Sequence, residues 1–170
     1  RAAALGPEPA AAHQVGLSVW LLFALVNEGP SVATQVLASS SRDESEDAGM
    51  RPLVAYTAKL AACISLVSSL ALYMLRTPVM GAFGATSGRV QELLASILPI
   101  IAWTNPLVVF TLLTEGVAIG GQRFKTLAVG TFASMVAAIW SLGRCETLVD
   151  IWGVGIQVLF LGRFLTAVTA

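Results

Sequence analysis

The chain has 170 residues, of which 56% are hydrophobic and only 12% charged, with a mean hydropathy of +0.78. A soluble domain carries about twice that share of charge, about 25%, so an ordinary water-soluble fold is excluded. Ten basic residues balance ten acidic ones, which excludes the basic footprint of a nucleic-acid-binding protein.

The apolar residues lie in long runs punctuated by charges, and a helix needs about 20 such residues to cross the roughly 30 Å of hydrocarbon. The first run predicts a span over residues 12–38, with Glu28 as its one charge. An acidic, polar stretch follows from Ser39 to Arg51, and its core Asp43–Asp47 reads as a solvated loop. Pro52 opens a second span over 52–75 that contains only Lys59, placed where its ammonium can snorkel to the interface. Arg76 to Arg89 has the Gly, Pro, Ser and Thr content of a connection.

The third span, 93–121, is uncharged from Leu93 to Thr114 and then contains Glu115. Arg123 and Lys125 mark the turn into a short fourth span, 126–143, and Arg144, Glu146 and Asp150 bracket the next turn. The fifth span, 148–170, has Arg163 near its exit, within snorkelling distance of the interface. Backbone groups in lipid must be satisfied internally and no alternating barrel pattern occurs, so the expected fold is all-α, a polytopic bundle of about five membrane-spanning helices. The side of the loops after spans one and three and of the chain end holds six Lys and Arg against four opposite when Lys59 and Arg163 are counted as snorkelling to it, which predicts that it faces the cytoplasm or an equivalent compartment.

Spans one and three contain related segments. Leu22–Gln35 reads LFALVNEGPSVATQ and Val109–Gln122 reads VFTLLTEGVAIGGQ. Aligned without gaps, Phe23, Leu25, Glu28, Gly29 and Gln35 match Phe110, Leu112, Glu115, Gly116 and Gln122. Two crossings separate the segments, so they are expected to run parallel with their acids at similar depth. Internal repeats with sites at the repeat interface are a habit of secondary transporters.

A carboxylate near the bilayer centre costs about 2.5–3.5 kcal/mol on insertion scales, which makes Glu115 and Glu28 candidates for reversible cation binding. The competing reading of each is a neutral, hydrogen-bonded Glu packed between helices. Pro30 follows Glu28, and Pro106 follows Asn105 in span three. Each proline leaves a carbonyl without its helical donor and offers a hinge, although prolines are also ordinary packing elements of membrane helices. Asn105, Gln35 and Gln122 are the polar candidates for lining a cavity. His13 stands at the entrance of span one, where interfacial packing is its first reading and proton relay its second. Gly116, Gly120, Gly121, Gly153, Gly155 and Gly162 suit close helix approach. Cys63 and Cys145 have no metal-ligand spacing and read as small hydrophobes. No metal cluster, phosphate loop or catalytic triad is present in the sequence, so neither an enzyme nor a cofactor is expected.

In order along the chain, Ala11-Ala12-His13-Gln14-Val15, Val19-Trp20 and Glu28-Gly29 through Gln35 resemble the eighth helix of multidrug-and-toxin-extrusion (MATE) transporters. Asn105-Pro106 with Glu115-Gly116 resembles the tenth helix, which commonly has an Asp-Gly pair there. Trp152-Gly153 with Arg163-Phe164-Leu165-Thr166 resembles the twelfth. Spans two and four contribute hydropathy alone.

The resemblance implies twelve helices in two pseudo-symmetric lobes that export small organic solutes against H⁺ or Na⁺. On that reading residues 1–170 are a partial C-terminal lobe in the lipid bilayer, working with an N-terminal lobe of the same transporter. Its family acid falls on Glu115, one methylene longer than the usual Asp. The chain begins at Arg1 without a methionine, which accords with the expectation of a fragment. A different secondary carrier with acid-Gly helices, or a non-transporting subunit that only packs against partners, are the rival readings.

Overall fold

The computed structural model describes residues 1–41, 46–82 and 87–170. Of the acidic stretch Asp43–Asp47, residues 43–45 lie outside the described residues, as do residues 83–86 of the Arg76–Arg89 connection. The described residues form helices throughout and no strand. After a short 3-10 turn at Ala2–Leu5 come α1 (Pro7–Ser40), α2 (Glu46–Ala82), α3 (Gly88–Gly120) and α4 (Phe124–Arg144). The last element, α5 (Leu148–Thr169), is one span made of three pieces. It has a first turn at Leu148–Asp150, a π-helical stretch at Ile151–Gly155 and a regular helix from Ile156. All five are long and apolar enough to cross a membrane.

The helices overrun the apolar segments from which they are read. The expected spans 12–38, 52–75 and 93–121 become helices at 7–40, 46–82 and 88–120. A helix of 37 residues is about 55 Å long, well beyond the hydrocarbon thickness, so polar turns continue it into the headgroups. Part of what reads as loop between Ser39 and Arg51 is therefore the first turns of α2. Hydropathy marks where the membrane core is, whereas the helix stops where its caps are. Pro7 and Pro9 sit in the first turn of α1, where a missing N–H costs nothing. The Ser87 hydroxyl accepts from the Val90 N–H to start α3. Thr147 and Asp150 form a reciprocal capping box at the start of α5.

The chain folds around α3, which packs on α1, α2 and α5. Tight contacts occur where small residues let backbones approach. On α3, a Cβ at Gly116 would collide with the Ser31 carbonyl and the Thr34 hydroxyl, and one at Gly120 with the Gln35 carbonyl and Ala38. Gly116 opposite Ser31 and Gly120 opposite Gln35 make α1 and α3 parallel, as expected for the two related segments. A Cβ at Gly130 of α4 would strike Thr166, and one at Gly162 of α5 would strike Ser134, so α4 and α5 run antiparallel. One buried cluster, including Val19, Leu94, Ile97, Ile101 and Trp152, joins α1, α3 and α5. Many large apolar side chains remain exposed, among them Leu25, Val26, Leu66, Met74, Val129 and Trp103, as a bundle in lipid requires.

Candidate functional site: an acid–arginine centre between parallel helices

Polar side chains tie α1 to α3 just beyond Glu28. The Ser31 hydroxyl donates to the Leu112 carbonyl at 2.7 Å. The Thr34 hydroxyl reaches the Leu113 carbonyl at 3.2 Å and its own helix at the Ser31 carbonyl, 2.8 Å. Carrying the register of the Gly116 and Gly120 contacts back along the helices sets Glu28 level with Leu113. That is two residues from Glu115, or about 3 Å along the axis. The two acids share one depth.

Their surroundings differ. Glu115 is partly buried and bound bidentately by Arg163 of α5, whose Nε and Nη2 donate to its two carboxylate oxygens at 2.8 and 2.6 Å. The fork geometry of guanidinium on carboxylate makes this among the strongest of charge-assisted pairs. Arg163 is thus turned inward to an acid rather than snorkelling outward, which corrects the reading of it as an interfacial residue. The physical reason is that an arginine deep in a span is least costly when paired with a carboxylate inside the bundle. Glu28 is exposed on α1 and forms no salt bridge among the described residues.

Two grooves meet at Arg163. One, of about 510 Å³, lies between α3, α4 and α5 and is lined by Glu115, Arg163, Phe124, Thr131 and Met135 among others. The second, of about 190 Å³, lies between α1, α3 and α5 and is lined by Glu28, Arg163, Trp20, Val108, Leu112 and Phe160 among others. The Trp20 and Phe160 rings meet at 5.7 Å in its wall. Val108, Leu112 and Glu115 are successive turns of one face of α3, with Val108 and Leu112 in the smaller groove and Glu115 in the larger.

Asn105 does not line either groove. It is buried, and its amide nitrogen donates to the hydroxyls of Ser68 at 2.7 Å and Ser69 at 3.3 Å, tying α3 to α2. Gln35 is half-buried within α1. Gln122 is exposed in the turn after α3, with φ of 58°, and its N–H donates to the Ile119 carbonyl at 2.9 Å. The related segments therefore diverge at their ends: α1 runs on to Ser40, while α3 stops at Gly120. Helix α1 continues through Pro30, and α3 through Pro99 and Pro106. No group of three or more His, Cys, Asp or Glu residues comes together among the described residues.

Two features escaped the sequence reading. Asn27, beside Glu28, is fully buried, and neither its amide nitrogen nor its oxygen has a partner among the described residues. Its segment-mate Thr114 gave a hint, since the alignment sets a polar residue before each acid. The second is the π-helical stretch of α5, where His13 lies against Trp152 with ring centroids 5.4 Å apart. The Gln157 amide donates to the Trp152 carbonyl at 3.0 Å. His13 thus packs against the buried Trp152 of α5.

Comparison with known proteins matches a family model, MatE, to residues 2–141. The chain is 29% identical over 154 residues to Protein DETOXIFICATION 43 of Arabidopsis thaliana. The match takes in 89% of this chain and 29% of that relative, so the chain spans under a third of its length. No solved structure matches.

Proposed function

We propose that this chain, which belongs to the MatE family, forms most of the second lobe of an antiporter that exports small organic solutes in exchange for H⁺ or Na⁺. The observation that carries the proposal is the pair of carboxylates at one depth on adjacent parallel helices, with grooves on both sides of Arg163. Ionisable groups held inside a bundle mark ion pathways, and repeat interfaces are where carriers bind.

In the proposed cycle Glu115 is the main coupling carboxylate and Glu28 a secondary one. Glu115 takes up the cation from outside, α3 bends at Pro106 and substrate affinity falls. Linkage requires only that the cation favour the state that releases substrate. Pro30 gives α1 a matching hinge. Gln35 and Gln122 stand at the ends of the paired segments, on the side where substrate would enter or leave. Asn105 shapes the cavity indirectly, by fixing α2 against α3.

An N-terminal lobe is the proposed partner. Glu28 is exposed among Leu25, Val26 and Val32, and a carboxylate facing hydrocarbon costs about 2.5–3.5 kcal/mol. Protein or a water-filled cavity over this face of α1 removes that cost. No nucleic acid, metal or organic cofactor enters the scheme.

The test is efflux by the full-length transporter in liposomes. Glu115→Gln should abolish coupled efflux and the pH or Na⁺ dependence of substrate binding, whereas Glu28→Gln should leave partial activity. Wild-type efflux with unchanged ion dependence in Glu115→Gln would mean that Glu115 is only a packed residue.

A further inference from the structure

We infer that Arg163 is a tethered cation that exchanges between Glu115 and Glu28, so that the two acids are alternative seats for one guanidinium. The inference rests on the proposed function only in treating both acids as sites of cation exchange. Four observations converge on it. Arg163 is bound to Glu115 through Nε and Nη2, leaving Nη1 without a partner among the described residues. The same Arg163 lines the small groove whose other polar wall is Glu28. Glu28 forms no salt bridge among the described residues and lies level with Glu115 across the α1–α3 contact. Phe160, one turn before Arg163, forms part of that groove's wall, and the guanidinium carbon is 5.5 Å from its ring centroid.

The chemistry follows from charge. Two acids and one arginine at a single depth carry one negative charge more than the arginine can neutralise, and whichever acid lacks it is the one open to an external cation. A proton or Na⁺ arriving at Glu115 competes with the guanidinium for the same oxygens. A displaced Arg163 has a ready partner across the small groove, along an aromatic face that favours cations. Arginine stays charged throughout, so the exchange moves a fixed charge between α3 and α1 without any proton transfer of its own. Arg163 is then a positioning residue that decides which acid is free.

Modification by dicyclohexylcarbodiimide, mapped by peptide mass spectrometry, reads this directly, because a carboxylic acid in apolar surroundings protonates the reagent and adds to its central carbon, whereas a carboxylate held by a cation has neither the proton nor the free oxygen to do so. In the full-length protein in liposomes, Glu28 should be modified and Glu115 protected. In Glu115→Gln the released arginine should move to Glu28, whose modification should fall several-fold. In Glu115→Gln with Arg163→Gln, modification of Glu28 should return, and in Arg163→Gln alone Glu115 should become reactive. Arg163→Lys, which keeps the charge, should preserve the Glu28 protection in the Glu115→Gln background and so guards against a misfolded Gln variant. Glu28 modification unchanged by Glu115→Gln overturns the exchange, as does a wild-type protein in which Glu28 is already protected. The readout is independent of transport. Glu28 protected while Glu115→Gln still exports normally refutes the coupling role and leaves the exchange standing, and lost efflux with Glu28 unaffected does the reverse.

Discussion

Asn27 and Thr34 sit two turns apart on α1, both fully buried, yet they stand in opposite hydrogen-bonding situations. Thr34 satisfies its hydroxyl on Ser31 and Leu113, whereas Asn27 has no partner for either end of its amide among the described residues. A buried polar group left unpaired costs about 1–3 kcal/mol, so replacing Asn27 with an apolar residue of similar size removes a penalty. Asn27→Leu should leave thermal stability unchanged or raise it, by up to about 1–3 kcal/mol. Thermal unfolding in detergent checks this, and a clear loss of stability would show that the amide is engaged. Thr34→Val should cost about 0.6 kcal/mol, the usual value of a hydrogen bond between membrane helices. At this scale the acids were legible because a carboxylate in an apolar run stands out. Their difference was not, because it depends on Arg163, 48 residues beyond Glu115. A hint lay in α5 itself: Arg163 follows an uncharged run from Ile151 to Gly162, and so deep an arginine calls for an internal acid.

The contacts between elements are set by glycines whose roles the sequence does not distinguish. Gly29 and Gly116 are equivalent in the aligned segments, but a Cβ at Gly29 meets nothing within 4 Å while one at Gly116 collides with α1. Gly116→Ala should therefore force α1 and α3 apart and lower thermal stability by about 1–3 kcal/mol, the usual cost of overpacking. Gly29→Ala should be neutral or stabilise by about 0.5–1 kcal/mol through helix propensity. Parallel melting curves of the two variants check the pair, and equal effects would contradict the α1–α3 register. The same reasoning makes Gly130→Ala and Gly162→Ala disruptive at the α4–α5 contact, since Thr166 and Ser134 fill the space. The stop of α3 after Gly120, against the continuation of α1 to Ser40, was also beyond reach of the alignment. It depends on a turn in which Gln122 takes a left-handed conformation.

For the molecule as a whole, the parallel α1–α3 contact places the ends of both helices at one surface. Cysteines introduced at Ser41 and Arg123, in a background with Cys63 replaced by Ser, should react with an impermeant maleimide from the same side of the membrane. Labelling from opposite sides would remove a span. With Arg163 turned inward to Glu115 the Lys and Arg count of that side falls to five against four, and the same experiment in oriented vesicles assigns it. The 170-residue chain on its own should not carry out vectorial transport, because alternating access needs one bundle to rock against another. Efflux from liposomes by the isolated chain, abolished by Glu115→Gln, would disprove this.

That there are five helices long and apolar enough to cross a membrane, their all-α character, their approximate places and the acids within their apolar runs were legible in the sequence alone. Each follows from a local quantity: the length of an apolar run, the need to satisfy backbone groups within a segment, or the rarity of charge in lipid. Only the tertiary structure decided which acid is held by Arg163, that Asn105 ties α3 to α2 instead of facing a groove, and which glycines lie in contacts. Those outcomes depend on the rotation of each helix about its own axis. Lipid is as apolar as the side chains, so hydropathy does not say which face of a membrane helix turns inward; close packing and the pairing of buried charge do.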